Sequence, residues 1–130
     1  MQEVRGIPAD EITSLWPRLE PLVNRALERS SDYTPDDIHQ SLIEERRQIF
    51  ATWPALDTIC ITGIDRRPKA KVLTIWWKAG ILHDDWRDML TAVENWGRWL
   101  GCSKVEFRGR EGWHRLLPDY ATEILYSKDL

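Results

Sequence analysis

Few side chains in this sequence are of the types that do acid–base or metal chemistry, and the most conspicuous run is His83-Asp84-Asp85. Imidazole and carboxylate groups are common metal ligands. Three consecutive residues do not converge easily on one ion, however, and no distant pair of ligands accompanies them, so the sequence predicts no metal site. His83 and Glu106 are isolated candidates for a general base, although a lone histidine or strand glutamate is more often a surface or structural residue.

A second group of residues has the chemistry of an anion site. Arg108, Arg110 and Arg115 lie close in sequence to Trp113, and guanidinium groups beside an aromatic ring can bind a carboxylate or a phosphate. The same arginines can instead pair with neighbouring acids, and we favour this structural role. The acids within reach along the chain are Glu106, Glu111 and Asp119.

The composition is that of a soluble globular protein with one domain, residues 1–130. With 42% hydrophobic and 30% charged residues, such a chain buries about two thirds of the surface that it exposes when unfolded. The net charge of −3 argues against a nucleic-acid partner, which a basic face would favour. No run approaches the length of a membrane span, and the N-terminus lacks the apolar segment of a secretion signal. We therefore expect a cytoplasmic protein with no membrane partner.

Cys60 and Cys102 lack a CxxC context and are predicted to be free thiols in a reducing compartment. The chain also contains 8 tryptophans, each of which can bury on the order of 200 Å². A domain of this size can therefore still have a strong core, and a tryptophan left exposed would be a candidate for a contact with another molecule.

Two helices are predicted in the first third of the chain. Apolar residues recur at i, i+3, i+4 and i+7 between Ile12 and Leu27. Pro17 suits the first turn of this helix, and Pro21 is expected to kink it. The run from Thr34 to Asp37 combines an N-cap, a proline at the first position and acids in the first turn, which is typical of the start of a second helix.

The rest of the chain is predicted to contain strands and two further helices. A third helix runs from Asp84 or Asp85 to Leu100, and a short fourth helix covers Trp113–Leu117. The predicted strands are Gln48–Trp53, Thr58–Ile64, Lys71–Trp77, Lys104–Phe107 and Thr122–Tyr126. The first of these strands has an alternative, in which the second helix continues to Phe50.

The lengths of the connections predict how these strands pair. Short links favour antiparallel pairing of the first three strands, whereas a helical crossover between the third and fourth implies a parallel pair. Side chains alternate along a strand, so the adjacent residues Trp76 and Trp77 should point to opposite faces of the sheet.

Several short segments in this order resemble small GNAT-fold (N-acetyltransferase-like) proteins encoded by tailed phages. The resemblance covers residues 10–130 and rests on the order and spacing of the segments. They are Trp16-Pro17 with Leu22 and Ala26-Leu27, Asp32-Tyr33-Thr34, Glu94-Asn95-Trp96, Leu100-Gly101-Cys102, Val105-Glu106, Gly109-Arg110-Glu111-Gly112-Trp113 and Leu117-Pro118-Asp119-Tyr120. It implies an α/β (α+β) fold, with a GNAT-like mixed, mainly antiparallel sheet of about 5–6 strands flanked by about 4 helices.

The resemblance also implies a place for acetyl-CoA, but the residues there differ from those of active GNAT enzymes. Active enzymes carry an Arg/Gln-x-x-Gly-x-Gly/Ala loop before the helix that corresponds to Asp85–Leu100. The loop of this chain has no Gly-x-Gly, and Asp84, Asp85 and Asp88 lie at the helix start. Carboxylates there stabilise the helix by about 0.3–1 kcal/mol each but repel a pyrophosphate. These acids are therefore expected to cap the helix.

The remaining site residues follow from the same resemblance. In GNAT enzymes the pantetheine arm is held largely by strand backbone, which here implies Trp77, Ala79, Ile81 and His83 as candidate cofactor contacts. The tyrosine that protonates the leaving thiolate corresponds by position to Leu117.

Two residues are then left as candidates for the chemistry. Tyr126 is the candidate acid, because the predicted last strand could bring it to the cleft in which the resemblance places acetyl-CoA. Glu106 is the candidate base, because it lies on the strand that lines the cleft. The catalytic residues are otherwise unassigned.

These observations favour a phage GNAT-fold protein that lacks a recognisable acetyl-CoA pyrophosphate loop and acts through protein–protein contacts rather than catalysis. The expected partner is a virion component, a host protein bound in host takeover or anti-defence, or a second copy of the chain. The location would then be the host cytoplasm or the virion, and no cofactor is expected. The alternative is an acyl-CoA-dependent N-acetyltransferase with a divergent cofactor loop, for which the cofactor is acetyl-CoA.

Overall fold

The computed structural model describes residues 3–28, 32–80, 85–109 and 117–130. Within these residues the chain forms a five-stranded sheet with helices packed on both faces. In chain order the elements are β1 (Glu3–Gly6), α1 (Ala9–Leu27), α2 (Pro35–Ile43), β2 (Gln48–Trp53), β3 (Thr58–Arg67), β4 (Ala70–Gly80), α3 (Asp85–Trp99) and β5 (Lys104–Phe107).

The order of the strands in the sheet is the order of the strands in the chain. Strands β1 to β4 pair antiparallel, as expected for short links, and β5 pairs parallel to β4. Helix α3 connects β4 to β5 and lies over the sheet, as a parallel pair requires. The predicted mixed, mainly antiparallel sheet is thus confirmed.

The two faces of the sheet bury different clusters of apolar side chains. On one face, called here the α1 face, Ile49, Ile59 and Ile61 pack against α1 and α2. On the other, the α3 face, Phe50, Cys60 and Leu73 pack against α3, whose buried residues are Met89, Leu90 and Val93. Because each helix presents an apolar stripe at helical spacing, each stripe covers one face of the sheet.

Helix α1 begins earlier than the sequence suggested and continues through both prolines. It starts at Ala9, so Pro17 lies inside the helix and the expectation that it occupies the first turn was wrong. The buried side chains of this helix are Ile12, Trp16, Leu19, Leu22, Val23 and Leu27. The helical periodicity of the sequence is thus confirmed over this segment.

Helix α2 has the predicted start and a sharp end. Thr34 and Asp37 form a reciprocal capping box, which satisfies two backbone N–H groups of the first turn. At the other end Glu45 adopts a left-handed conformation with φ of 60°. The N–H of Glu45 donates to Leu42 and that of Arg46 donates to Ser41, which is a Schellman end. The alternative in which this helix continued to Phe50 is therefore wrong.

The structure changes the predicted set of strands at both ends of the chain. Strand β1 was not predicted and forms because Glu3–Gly6 pairs with the edge of β2. The segment Thr122–Tyr126 is not a strand, and its Ile124, Leu125 and Tyr126 are exposed. This segment pairs with no strand among the described residues. Of the fourth predicted helix, only Leu117 lies within the described residues.

Candidate functional site

The sheet opens where β4 and β5 part. The two strands pair from Val72 with Lys104 to Ile75 with Phe107. Beyond this point β4 continues to Gly80, paired with β3 alone. Among the described residues, the edge of β4 from Trp76 to Gly80 thus faces a gap rather than a neighbouring strand. This stretch is called the open half of β4 below.

A β-bulge marks the start of the open half. Ile61 of β3 pairs with Trp77, but the next residue of β3, Thr62, pairs with Ile75, so Trp76 is an extra residue in β4. An extra residue reverses which face the following side chains occupy. Leu73 and Ile75 accordingly lie on the α3 face, whereas Trp77 and Ala79 lie on the α1 face.

The bulge overturns one expectation about the paired tryptophans. Trp76 and Trp77 were expected on opposite faces, but their ring centroids are 5.8 Å apart and both rings contact the guanidinium of Arg47. The alternation rule fails here because it holds only for an unbulged strand.

On the α3 face, the open half contributes the amine of Lys78. Its Nζ lies 4.0 Å from the centroid of the Phe107 ring. Burial lowers the pKa of Lys78 to about 8. The nearby Cys60 thiol is fully buried, and burial raises its pKa to about 12, so this thiol stays protonated at neutral pH. Among the described residues that line the gap, Lys78 is therefore one that can gain or lose a proton near neutrality.

A tyrosine, Tyr120, lies beside Phe107 on the same face. The Tyr120 ring packs edge-on against Phe107, with centroids 5.6 Å apart. Its hydroxyl donates a 2.6 Å hydrogen bond to a carboxylate oxygen of Glu94 on α3. Burial and this hydrogen bond raise the pKa of Tyr120. The phenol is thus a fixed neutral donor that is already engaged with Glu94.

On the α1 face, three aromatic rings surround one cation. The Arg47 Cζ lies 5.1 Å from the centroid of Tyr33, 5.5 Å from that of Trp76 and 5.2 Å from that of Trp77. Tyr33 meets Trp77 edge-on at 5.0 Å. These three rings, called the aromatic cluster below, lie beside the bulge, where the gap begins.

The structure describes only two of the four candidate cofactor contacts that were taken from the sequence. Trp77 and Ala79 lie on the open half of β4, but both side chains are directed to the α1 face. Ile81 and His83 lie outside the described residues, as does Asp84. Any contact that Trp77 and Ala79 make in the gap itself must therefore come from their backbone groups.

Glu106, the candidate base, is held in an ion pair at the edge of the sheet. Both of its carboxylate oxygens accept hydrogen bonds from Arg67, at 2.9 and 2.8 Å, and Lys104 lies 3.3 Å away. The hydrogen bonds from Arg67 lower the pKa of Glu106 to about 2. A carboxylate with so low a pKa is a weak base, although its predicted role stays a prediction.

Tyr126, the candidate acid, belongs to the exposed C-terminal segment. Its side chain is 87% exposed, and no strand brings it to the gap. The arginine group is only partly described: Arg108 is exposed, whereas Arg110, Trp113 and Arg115 lie outside the described residues. The favoured structural role of these arginines and the alternative of an anion site therefore both stay predictions.

The described residues show no metal centre and no membrane span. No group of three or more His, Cys, Asp or Glu side chains in this part of the chain could hold a metal ion. No helix in the same part is both long enough and apolar enough to cross a membrane. Two shallow pockets, of about 280 and 350 Å³, share Glu45, Gln48 and Trp96, and none of their described lining residues lies on the open half of β4.

Sequence reasoning missed Lys78, Tyr120 and Arg47 as members of this site. In the sequence, Lys78 occupies an ordinary position in a strand. The bulge that directs its side chain into the gap has no sequence motif, so nothing marked this lysine as a site residue. Tyr120 and Arg47 are brought in by contacts between distant segments. Only the tryptophan pair was a usable indication, since adjacent large aromatics in one strand are unusual.

No protein-family model matches the sequence, and no curated protein matches it. The fold, in contrast, matches solved acetyltransferases. The aminoglycoside N-acetyltransferase AAC(6′)-Iy, solved in complex with CoA, is similar over 100% of this chain and 96% of its own, with a TM-score of 0.70 and 14% identity.

Two further solved acetyltransferase structures are similar in fold to this chain. An aminoglycoside acetyltransferase from an uncultured soil metagenomic sample, in complex with trehalose, has a TM-score of 0.73 at 10% identity over 98% of this chain and 95% of its own. A GCN5-related N-acetyltransferase from Ralstonia eutropha has a TM-score of 0.71 at 13% identity over 100% of this chain and 99% of its own. The fold is therefore that of the GNAT acetyltransferases, as expected, and the phage origin stays a prediction.

Proposed function

We propose that this protein binds an acyl-CoA and transfers its acyl group to an amine. The observation that carries the proposal is the open half of β4, from Trp76 to Gly80, which within the described part of the chain has a strand partner on one side only. An internal strand directs backbone N–H and C=O groups to both neighbours, so the open half directs some of them into the gap. Such groups need partners, and the amides of a pantetheine arm are suitable ones.

Two of the similar solved structures support this cofactor. AAC(6′)-Iy was solved with CoA and with a bisubstrate analogue, CoA-S-monomethyl-acetylneamine. When bound, an acyl-CoA supplies an acyl group already activated as a thioester. The residues of this chain then have to hold the arm, orient the amine and supply or remove protons. This proposal takes the place of the expectation that the fold works by protein contacts alone.

The proton donor in this proposal is Lys78. Its pKa of about 8 is close to the value of about 8.5 of an ordinary thiol. Proton transfer is most effective between groups whose pKa values are matched near the working pH. The Lys78 Nζ, which lies in the gap beside Phe107, can thus hold a proton at neutral pH and donate it to a leaving sulfur.

In this proposal the pyrophosphate of the acyl-CoA contributes less to the binding affinity than its pantetheine arm does. The sequence before α3 has no Gly-x-Gly, and Asp88 lies in the first turn of α3. A carboxylate near a helix N-terminus opposes a phosphate there. The backbone of the open half should therefore provide most of the affinity, and a ligand that lacks the nucleotide should bind almost as well as one that has it.

The experiment is to titrate the protein with acetyl-CoA and, separately, with S-acetylpantetheine by calorimetry and thermal unfolding. Both should bind, with affinities within about tenfold, and a ligand at a hundred times its dissociation constant should stabilise the fold by about 2.7 kcal/mol. Absence of binding by both ligands at millimolar concentration overturns the proposal.

The role of Lys78 is tested by release of free thiol with a panel of amines. Lys78→Met should lower turnover by about 10²–10⁴-fold and should leave acetyl-CoA binding unchanged. The matched control is Lys71→Met, which makes the same change on the same strand before the bulge, where the Nζ donates to the carbonyl of Leu100. Equal losses in the two variants would show that Lys78 has no special role.

A second function is favoured by exposed apolar side chains outside the gap. Trp99 at the end of α3 is 81% exposed, and Ile124, Leu125 and Tyr126 are 75%, 60% and 87% exposed. Such residues are candidates for contact with a protein partner or with a second copy of the chain. Sedimentation velocity on the wild type and on Trp99→Gln tests self-association. A virion or host partner stays a prediction from the resemblance.

A further inference from the structure

The aromatic cluster has the composition of a cation-binding cage. Tyr33, Trp76 and Trp77 all lie within 5.5 Å of the Arg47 Cζ, measured to the ring centroids. A cation within about 6 Å of an aromatic centroid is attracted by the ring, and cages of this kind bind alkylammonium groups in other proteins. In this chain the cation inside the cage belongs to the protein itself.

The rings are positioned by the fold rather than by Arg47. Tyr33 precedes the capping box of α2, and Trp77 is seated in the α1-face core. Trp76 lies across Gly63 of β3: a Cβ built on Gly63 would come within 2.8 Å of the indole Nε1. Because a glycine, a bulge and a helix start hold the three rings, the cage does not depend on its occupant.

Arg47, in contrast, is held by the rings alone. No carboxylate of the described residues lies within 4.0 Å of its guanidinium; the acid it influences is Asp37, through a longer-range attraction. Trp76 is 43% exposed, so one wall of the cage is open to solvent. Cation–π contacts at such exposed sites are weak, so a competing cation can replace Arg47 there.

We propose that Tyr33, Trp76 and Trp77 bind the ammonium group of an alkylamine, and that Arg47 fills this site when no amine is bound. The cage lies beside the bulge, at the point where the gap between β4 and β5 begins. After it has lost its ammonium proton to solvent water, an amine held there would be the acceptor of the acyl group. That last step rests on the proposed function, whereas the binding of the cation does not.

Displacement of Arg47 lowers the affinity of the wild type for any amine. When another group occupies a site most of the time, a ligand finds the site vacant in only a fraction of the molecules. Its apparent affinity is then its intrinsic affinity multiplied by that fraction. Removing the Arg47 side chain should therefore increase the affinity. This is an unusual direction for an arginine-to-alanine change, and it distinguishes a cage from an ordinary structural contact.

The experiment is to titrate the protein, without any acyl-CoA, with n-butylammonium chloride at pH 7 and with the neutral n-butanol. Tryptophan fluorescence and calorimetry report binding. Arg47→Ala should bind butylammonium about tenfold more tightly than the wild type does, and the affinity for butanol should not change. Arg47→Gln provides a second variant if Arg47→Ala is unstable.

A change at Trp76 tests whether the rings carry the affinity. In the Arg47→Ala protein, Trp76→Phe should retain binding, whereas Trp76→Leu should lower it at least about fivefold, because an aliphatic side chain lacks the ring electrons. Equal affinity for butylammonium and butanol, or no gain in either Arg47 variant, overturns the cage. Amine binding without acyl-CoA binding leaves the cage standing and removes the proposed transferase.

Discussion

Before its bulge, β4 has a hydrogen-bonded strand on each side, whereas after the bulge it pairs with β3 alone among the residues that the structure describes. Val72, Leu73 and Ile75 in the first half are buried and belong to both the β3 and the β5 ladders. The open half has its exposed Trp76, its Lys78 in the gap and its contact with Arg47. The two halves of β4 thus differ in role. The half with two neighbouring strands stabilises the sheet, and the open half can contact a ligand.

The largest effect should come from inserting one alanine between Trp77 and Lys78. With Trp77 still paired with Ile61, the inserted residue takes the position opposite Cys60, and each following side chain changes face. Lys78 would then be directed into the α1-face core beside Ile59 and Ile61, where an unpaired ammonium is strongly disfavoured. We expect circular dichroism to show no cooperative unfolding in urea.

The control for this insertion is Trp76→Ala, which keeps the register and should remain folded. Its cost should be about 1–2 kcal/mol, since the indole is partly exposed. If the insertion and the substitution had equal effects on the free energy of unfolding, the register would not be what matters, and the two halves of β4 would not differ as described.

The next effect concerns the first half of β4. Leu73 is 0% exposed and packs beside α3, so Leu73→Ala should lower the unfolding free energy by about 2–5 kcal/mol. Binding of butylammonium should not change, because the substitution lies outside the open half. Urea unfolding and the same fluorescence titration measure the two quantities. A larger stability loss from Trp76→Ala than from Leu73→Ala would reverse the comparison.

A smaller, pH-dependent effect should come from Lys78. Its pKa is lowered to about 8 in the folded state, against about 10.4 for an unfolded lysine. Between these values the unfolded state binds more protons, so the stability rises with pH. From pH 7.5 to pH 10 the unfolding free energy should rise by about 1–3 kcal/mol, and this rise should be absent in Lys78→Met.

The measurement needs Cys60→Ala as the background. The pKa of Cys60 is raised to about 12 in the folded state, against about 8.5 when unfolded, so above that lower value Cys60 makes stability fall with pH. In the Cys60→Ala protein the contribution of Lys78 stands alone. An identical pH dependence with and without Lys78 would place its amine in solvent.

The smallest effect on stability should come from Glu106→Gln at the β5 edge. An exposed ion pair of this kind contributes little to stability, because solvent screens it. The pKa of Glu106 is lowered to about 2, so its contribution is present above about pH 4.3, the unfolded value, and is lost as the pH falls through 2. Thiol release should change less than about threefold; a loss of a hundredfold or more would restore Glu106 as the general base.

Much of the fold could be predicted because its local signals agree with its tertiary structure. The apolar stripe of α1, the Thr34 cap of α2 and the strands from Gln48 to Trp53 and from Lys104 to Phe107 are visible in short segments. The site was less predictable. Glu106 and Tyr126 were chosen by residue type and strand position, and the structure places one in an ion pair and the other in exposed chain.

The sequence by itself determined α1, α2 and α3, most of the described strands and the order in which they follow one another, because residue spacing records the period of each element. Only the tertiary structure decided that Glu3–Gly6 is a strand and that Thr122–Tyr126 is not, since each depends on an edge contributed by distant residues. The bulge at Trp76 was decided in the same way. A register belongs to two strands at once, so no single segment can specify which side chains face the gap.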